Sequence, residues 1–247
     1  MTEPFYAPGA DTAPRRVARR LGLGAVAAGA LATLVWLIAP DIDLTVARLF
    51  YRGDGRFTGL DLTIVGILRN LLITVFFGTA IAAIAAAVTL HRRGGTWIGL
   101  DKYRWLFIAL CLGLGPGVVT NLIVKDQIGR ARPKSVQEFG GDRTFTPALM
   151  PSRECSRSCS FVSGEASSSF VIFYAAAVAA PAAAPVLIAG GTIAGVLTGL
   201  IRMLQGAHFL SDVVFAGVLM ALTVSLAYPT LAWLDAQLRQ RYPAAFE

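Results

Sequence analysis

Apolar residues are concentrated in six stretches of this chain, and each approaches the roughly 20 residues with which a helix crosses a bilayer. Polar, glycine-rich or proline-rich segments separate the stretches. The pattern therefore predicts an all-α protein, built as a bundle of six transmembrane helices. We place these helices at about residues 21–39, 63–90, 105–124, 165–180, 185–201 and 209–234.

Three further segments complete the predicted organisation. Residues 1–20 contain prolines and arginines, and we expect a disordered basic tail. Apolar residues recur at helical spacing between Asp41 and Tyr51, which predicts a short helix lying at the outer surface of the membrane. The membrane domain then covers residues 21–234, and residues 235–247 form a cytoplasmic tail.

A cleaved signal peptide is the alternative to the first span, because four arginines precede its apolar run. Signal peptides, however, have an apolar core of about 7–15 residues that ends at a small-residue cleavage site. This run is longer and ends in Ala39-Pro40-Asp41. We expect it to remain as the first span, with its basic end inside the cell.

Composition supports a membrane protein and limits its partners. Of the 247 residues, 55% are hydrophobic and only 15% charged, with a mean hydropathy of +0.61, which is too apolar for a soluble domain of this size. A net charge of +7 is found in many chains that bind nucleic acid, but the basic residues here lie in loops between spans. We expect a lipid bilayer and a membrane lipid as partners and no nucleic acid, and the oligomeric state stays open.

Basic residues near the ends of the spans predict the orientation. Arginines precede the first span and His91-Arg92-Arg93 follows the second, so the positive-inside rule places both in the cytoplasm. Counting crossings then places both termini inside. The same count places Lys125, Glu165 and His208 together on the outer face, which is the periplasmic face of a bacterial inner membrane.

The three cysteines fall in different surroundings. Cys111 lies within an apolar run, where a small packing residue is expected. Cys155 and Cys159 flank a polar tripeptide in the loop that the topology places outside the cytoplasm, where disulfides persist. A disulfide between them is possible, and a free pair is the alternative.

The segment between the fifth and sixth apolar runs carries Arg202, His208 and Asp212. His208 and Asp212 are four residues apart, so on a helix the carboxylate can hold the imidazole. A carboxylate that fixes a histidine tautomer prepares the other ring nitrogen to act as a nucleophile or base. Arg202 can bind an oxyanion in the same pocket. The alternative is that these are ordinary interfacial residues at helix ends.

A second cluster follows the third apolar run. Lys125 and Arg132 are seven residues apart, so they share a face if the helix continues that far. Pro133 disfavours helical geometry at Arg132 and favours the end of the helix there. Arg130 lies off that face, and we expect it to be solvated. The alternative for the cluster is a basic helix end that attracts anionic lipid.

A third cluster, Ser163-Gly164-Glu165, lies at the start of the fourth apolar run. Ser163 is a natural N-cap, and Gly164 lets a ligand approach the backbone closely. Unpaired N–H groups and the helix dipole make such a helix start a seat for phosphate. The alternative for Glu165 is an acid that only complements the dipole.

The order of the three clusters resembles that of a known family. The chain has, in order, Lys-x6-Arg-Pro, Ser-Gly and Arg-x5-His-x3-Asp. This order is similar to the tripartite signature of the type 2 phosphatidic acid phosphatase superfamily. The motif order and topology of that superfamily cover this chain from the third span to the sixth. That superfamily also includes vanadium-dependent haloperoxidases and bacterial lipid phosphatases. Members with glutamate in the middle motif resemble the lipid A phosphatases.

The resemblance implies a role for each residue of the three clusters. Lys125, Arg132 and Arg202 would bind the phosphoryl oxygens, together with the Ser163 hydroxyl and the Gly164 N–H. His208 would be the nucleophile that accepts the phosphoryl group, and Asp212 would orient it. Water would then hydrolyse the phosphohistidine. The family works without a metal or other cofactor.

The middle motif departs from the family, which usually has a histidine that protonates the leaving group where this chain has Glu165. One interpretation is that Glu165 is shielded and protonates the leaving group. The other is that the leaving group needs little help, as with a diphosphate or an anomeric sugar phosphate. Glu165 could also accept hydrogen bonds from sugar hydroxyls.

We therefore predict a metal-independent phosphatase that acts on a membrane lipid, with a lipid A-type saccharolipid favoured. Undecaprenyl diphosphate and phosphatidylglycerophosphate are the alternative substrates, and phosphotransfer between lipids is an alternative reaction. A lipid-phosphate binder or transporter is the rival from a different class. It is disfavoured because binding alone does not need an oriented nucleophile such as His208.

Overall fold

The structure is a computed structural model that describes residues 5–6 and 11–242. This part of the chain is mostly helical. Its helices are α1 (Ala13–Ile38), α2 (Ile42–Arg48), α3 (Thr63–Arg93), α4 (Lys102–Leu112), α5 (Lys125–Ile128), α6 (Gly164–Ala179), α7 (Ala184–Leu204) and α8 (Leu210–Arg241). A π-helical segment, Gly113–Val124, joins α4 to α5, and two short strands, β1 (Tyr51–Gly53) and β2 (Arg56–Phe57), form a hairpin.

Five helical segments are long and apolar enough to cross a membrane. They are Ala13–Ile38, Thr63–Arg93, Lys102–Val124, Pro181–Leu204 and Leu210–Arg241. The fourth predicted span corresponds to α6, which is apolar but has only 16 residues. Every predicted span is thus a helix at its predicted place, and five of them reach the expected length.

Both ends of the membrane domain extend beyond their predicted limits. α1 begins at Ala13 rather than at Leu21, because Thr12 caps the helix with its side chain and Pro14 lies in the first turn. Residues 13–20, which we expected in a disordered tail, are therefore helical. α8 continues to Arg241. Phe5 and Tyr6 of the predicted tail are also buried, with their rings against Tyr228. Residues 1–4, 7–10 and 243–247 lie outside the described residues.

The short helix predicted after the first span is present as α2, and the hairpin that follows it was not predicted. Gly53, Asp54 and Gly55 all have positive φ angles, which a tight hairpin turn requires. Phe57 of β2 is fully buried against Phe139 of the loop between α5 and α6. The expectation of an all-α protein therefore holds apart from this small sheet.

Helix α6 occupies the centre of the bundle, where α4, α7 and α8 pack around it. Glycines along one face of α7 allow this helix to approach both α6 and α8 closely. A Cβ atom on Gly195 would lie 2.4 Å from the Phe170 ring of α6, and one on Gly199 would lie 2.2 Å from Val213 of α8. Small residues at this spacing are typical of tightly packed membrane helices. The packing fixes the end of α7 and the start of α8, which carry Arg202, His208 and Asp212.

The third apolar segment does not continue to Arg132 as a helix. The predicted kink at Pro116 takes the form of a π-helical segment, a geometry that is frequent at functional sites. The helix ends at Ile128, and Gly129 follows in the left-handed conformation. A Cβ atom on Gly129 would lie 2.1 Å from the carbonyl oxygen of Ser152, so glycine is required at this turn.

Candidate active site

The three sequence clusters meet at one end of a cavity of about 610 Å³. The cavity lies between α3, the segment from α4 to α5, and the start of α6. Its charged end is lined by Arg69, Lys125, Arg132, Glu165, Arg202 and His208, with Gly164 of α6. The predicted residues Ser163 and Asp212 are fully buried behind this lining. The rest of the cavity wall is mainly apolar and runs along α3.

His208 is held by Asp212, as predicted, but it precedes the N-cap Phe209 of α8 and does not share a helix face with Asp212. Asp212 lies in the first turn of α8, and its Oδ2 atom is 3.4 Å from Nδ1 of His208. The same oxygen accepts a hydrogen bond from the Phe209 N–H at 2.8 Å, so the carboxylate also satisfies the start of the helix. Contact through Nδ1 leaves Nε2 as the ring nitrogen of His208 that can meet a ligand.

The surroundings of His208 favour the neutral imidazole. Burial lowers the pKa of His208, and the cations Lys125 and Arg202 lower it further, while Asp212 opposes the shift. A neutral imidazole has an unshared electron pair on one nitrogen. The site therefore keeps His208 in the form that can attack phosphorus.

Arg130 is fully buried, and our expectation that it is solvated is wrong. Its Nη1 donates to Asp212 Oδ1 at 2.8 Å, and its Nη2 donates to Asp43 Oδ2 at 2.8 Å. Its Nε donates to the carbonyl of Thr146, and the guanidinium lies 4.3 Å from the centroid of the Phe209 ring. The expectation failed because it assumed a helix, whereas the chain turns inward at Gly129.

Asp43 links the surface helix α2 to the candidate site. Its carboxylate is fully buried and accepts hydrogen bonds from the N–H and hydroxyl of Ser211, beside Asp212. One guanidinium thus joins two buried carboxylates from α2 and α8. No local sequence pattern indicates this pair, because Asp43 and Arg130 are 87 residues apart.

Arg132 is oriented by the loop that carries the two cysteines. Its Nε and Nη2 atoms donate to the carbonyl oxygen of Ser158 at 3.1 and 2.8 Å. Cys155 and Cys159 form a disulfide with Cα atoms 5.5 Å apart, which closes the short loop around Ser158. Of the two alternatives for these cysteines, the structure has the bonded pair.

The start of α6 is arranged as an anion site. Ser163 is the N-cap, with its hydroxyl oxygen accepting from Ala166 N–H, and its own N–H donates to the Asp212 carbonyl at 3.0 Å. A Cβ atom on Gly164 would lie 3.6 Å from Nζ of Lys125, so the amine stands directly beside the half-buried start of the helix. An ammonium group beside a helix N-terminus favours a bound phosphoryl group.

Glu165 is held by two arginines. Arg69 donates to its carboxylate through Nε, at 3.0 and 3.2 Å, and through Nη2, at 2.8 Å. Arg202 Nε lies 3.4 Å from Oε2, in an ion pair without hydrogen-bond alignment. Arg69 belongs to none of the three sequence clusters, although an arginine inside an apolar run is itself a functional signal in membrane proteins.

These side chains can bind a phosphoryl group and attack it. Three cations and a helix N-terminus can neutralise phosphoryl oxygens, and a buried, oriented imidazole can serve as the nucleophile. Among residues 5–6 and 11–242, no group of three or more His, Cys, Asp or Glu side chains has the arrangement to hold a metal ion.

We predict that Arg130→Met destabilises the protein. Methionine has a similar length but leaves Asp43 and Asp212 as buried carboxylates without their cation, a loss that costs about 3–5 kcal/mol in the free energy of unfolding. Thermal unfolding in detergent measures the change. Arg143→Met, at an arginine whose side chain is about half exposed, is the matched control and leaves the melting temperature unchanged. Equal melting temperatures for both variants would contradict the structural role of Arg130.

We also predict that His208 titrates below the ordinary histidine pKa of about 6.5. The folded protein resists protonation of this buried ring, so the imidazole stays neutral until the pH falls below that value. The chain has only two histidines, so His91→Gln leaves one imidazole signal for NMR titration of labelled protein. A midpoint at or above 6.5 for that signal would show that the cations and burial do not dominate at His208.

The sequence is similar to that of a known protein family. The sequence profile of the PAP2 superfamily matches residues 104–235. A protein of Francisella tularensis subsp. novicida (strain U112) named lipid A 4'-phosphatase is 36% identical over 205 residues, which cover 80% of this chain and 89% of that protein. A lipid A 4'-phosphatase of Rhizobium leguminosarum is 31% identical over 220 residues, 82% of this chain and 91% of its own length.

A further lipid A 4'-phosphatase, from Rhizobium etli, is 29% identical over 215 residues, which cover 82% of each chain. No solved structure matches the chain with significance. The matched profile covers more than half of the 247 residues and contains all three clusters, from Lys125 to Asp212. The chain therefore belongs to the PAP2 superfamily.

Proposed function

We propose that this protein is a membrane phosphatase that hydrolyses a phosphate monoester of a lipid A-type saccharolipid and releases inorganic phosphate. The observation that carries the proposal is the two-part cavity, in which a cationic end around His208 continues into an apolar trough. A phosphorylated lipid has the same two parts. The names of the three relatives, which cover most of this chain, favour lipid A over other phosphorylated lipids.

The apolar trough follows α3 away from the charged end. Arg69 marks its charged start, and Ile84 lies four turns further along the helix, about 22 Å at 1.5 Å per residue. The wall between them is formed by Leu72, Ile73, Phe76, Phe77 and Ala80. An acyl chain lying along this wall would leave its polar headgroup at the cations.

The phosphoryl group would be bound by cations from three elements. Lys125, Arg132 and Arg202 supply charge-assisted hydrogen bonds, and the Gly164 N–H supplies the helix N-terminus. Ser163 supports this turn from behind as its N-cap. Preorganised donors of this kind stabilise the extra charge that phosphoryl oxygens carry in the transition state.

The reaction would proceed in two steps through a phosphohistidine. Nε2 of His208 attacks phosphorus, the bond from phosphorus to the sugar oxygen breaks, and that oxygen leaves with a proton acquired from solvent. Water then attacks the phosphohistidine and releases inorganic phosphate, which restores His208. Asp212 keeps the imidazole oriented and stabilises the positive charge on the ring during attack.

The apolar helices and the relatives indicate a bacterial membrane protein. We further propose that α6 also crosses the membrane, which brings the number of crossings to six, and that the site faces the periplasm. The support is the distribution of basic residues at the ends of the helices opposite the site: Arg15, Arg16, Arg19, Arg20, Arg92, Arg93, Lys102, Arg239 and Arg241. By the positive-inside rule this end, with both termini, lies in the cytoplasm.

The test is phosphate release by detergent-purified protein, with EDTA present, from a panel of lipids. The panel holds lipid A, undecaprenyl diphosphate, phosphatidylglycerophosphate and phosphatidic acid. We expect the highest kcat/KM for lipid A, at least a thousandfold loss in His208→Ala, and full activity in the control His91→Ala, whose side chain is exposed.

Other results would redirect the proposal in defined ways. A higher kcat/KM for another lipid of the panel would make that lipid the proposed substrate. Transfer of a labelled phosphate to a second lipid, and not to water, would show phosphotransfer. Folded protein that binds these lipids but releases no phosphate would favour the non-catalytic binder. Activity that survives in His208→Ala would contradict the phosphohistidine.

A further inference from the structure

Arg69 is the one charged-end residue that none of the three sequence clusters contains. Its side chain extends from α3, and two of its three guanidinium nitrogens donate hydrogen bonds to Glu165. Glu165 in turn lies against Arg202 Nε at 3.4 Å. The carboxylate is thus held between guanidinium groups from two different helices, α3 and α7, at the cationic end of the cavity.

The position of Glu165 creates an electrostatic problem for a phosphatase. An uncompensated carboxylate there would repel a phosphate dianion and compete with it for Arg202. Arg69 removes both effects, because its charge balances the carboxylate and its hydrogen bonds fix where the carboxylate lies. Without Glu165, the charged end would instead hold like charges from Arg69, Arg132 and Arg202 with no acceptor between them.

The pair also sets the orientation of Arg202. The Nε of Arg202 faces Glu165, and its Nη1 donates to Gln205 Oε1. Nη1 therefore has a hydrogen-bond partner and Nε has an ion-pair partner, which leaves Nη2 for a phosphoryl oxygen. A guanidinium held in this way loses little conformational entropy when it binds.

We propose that Arg69 is a positioning residue of the phosphatase and acts through Glu165. It keeps the carboxylate neutralised and in place, so that Arg202 and the other cations bind the phosphoryl group. Glu165 then serves as an acceptor for arginines and does not protonate the leaving group. This inference rests on the proposed function, since it assigns Arg69 and Glu165 to phosphate binding at the same site.

Double-mutant coupling between Arg69 and Glu165 tests the proposal. We expect Arg69→Ala to raise KM for the phosphorylated lipid, and the inhibition constant for inorganic phosphate, at least tenfold, because it exposes an unpaired carboxylate. In the Glu165→Gln background the same change should cost threefold or less, since no carboxylate remains to neutralise. Asn70→Ala, on the exposed side of α3, is the matched control.

Two results would overturn the proposal. Equal effects of Arg69→Ala in both backgrounds would show that Arg69 binds substrate independently of Glu165, and wild-type constants in Arg69→Ala would show no role. Calorimetric binding of inorganic phosphate to the same four proteins gives the coupling without turnover. Failure of the lipid assay alone would therefore count against the proposed function and leave the coupling measurable.

A second, independent observation concerns the disulfide. The carbonyl of Ser158, inside the loop closed by Cys155 and Cys159, accepts both hydrogen bonds from Arg132. Ser160 follows Cys159 directly, and its hydroxyl donates to Asp212 Oδ2. The covalent loop therefore supports the side chain predicted to bind phosphate and the carboxylate that holds His208.

We infer that the disulfide positions Arg132 and Asp212 for the reaction. Its cleavage releases the Ser158 carbonyl from its fixed place, so that Arg132 loses its orientation. The disulfide is accessible to a reductant on one side, because Cys155 is partly exposed while Cys159 is buried. This inference also rests on the proposed function.

Reduction of purified protein tests this role. We expect a phosphine reductant to lower kcat/KM at least fivefold, with a raised inhibition constant for inorganic phosphate, and reoxidation to restore both. Cys155→Ser/Cys159→Ser should show the lowered values with or without reductant, and Cys111→Ala, which lacks the buried free thiol, should respond as wild type does. Unchanged constants in protein shown by mass spectrometry to be reduced would overturn the inference.

Discussion

The arrangement of the candidate site depends on the buried ion pairs of Arg130 with Asp43 and Asp212. The guanidinium of Arg130 joins α2 to the start of α8. The backbone carbonyl of Arg130 also accepts a hydrogen bond from the N–H of Ser160 at 2.9 Å. Charges this deep are costly to desolvate unless every group is paired, so the two carboxylates and the cation require one another. The pairing holds the loop after α5 against the start of α8, and thereby fixes Asp212 beneath His208.

The charges at the cavity itself follow a different logic. There the cations exceed the carboxylates, and they come from elements far apart in the chain: Arg69, Lys125, Arg132 and Arg202. Packing like charges together costs energy that a protein accepts where an anion is to bind. Among the side chains that the structure describes, Glu165 is the carboxylate in the lining of this cavity, and it reduces that cost while it orders its two neighbours. The bundle therefore carries a structural charge network behind the site and a binding network within it.

Much of this could be predicted from sequence, where the information is local. The apolar runs predicted the helices, and the closeness of His208 and Asp212 along the chain predicted their contact, although His208 precedes α8 and is not on a shared helix face. What failed depended on distant contacts or on local backbone geometry. Arg130 was expected in solvent because a helix was assumed past Gly129, and Arg69 was missed because its partner lies 96 residues away. The start of α1 was misplaced because a capping threonine outweighed an arginine-rich composition.

The shortness of α6 has a consequence for how a lipid reaches the site. A helix of 16 residues rises about 24 Å, whereas the hydrocarbon core of a bilayer is about 30 Å thick. On the proposed topology, its N-terminal Gly164 lies some distance below the level at which neighbouring headgroups sit. Because the longer helices around it cover its sides, the mismatch would then be borne inside the protein and would not deform the bilayer. A substrate phosphate would thus descend a few ångströms into a recess, with its chains still in the leaflet, and no extraction of the lipid into water is needed.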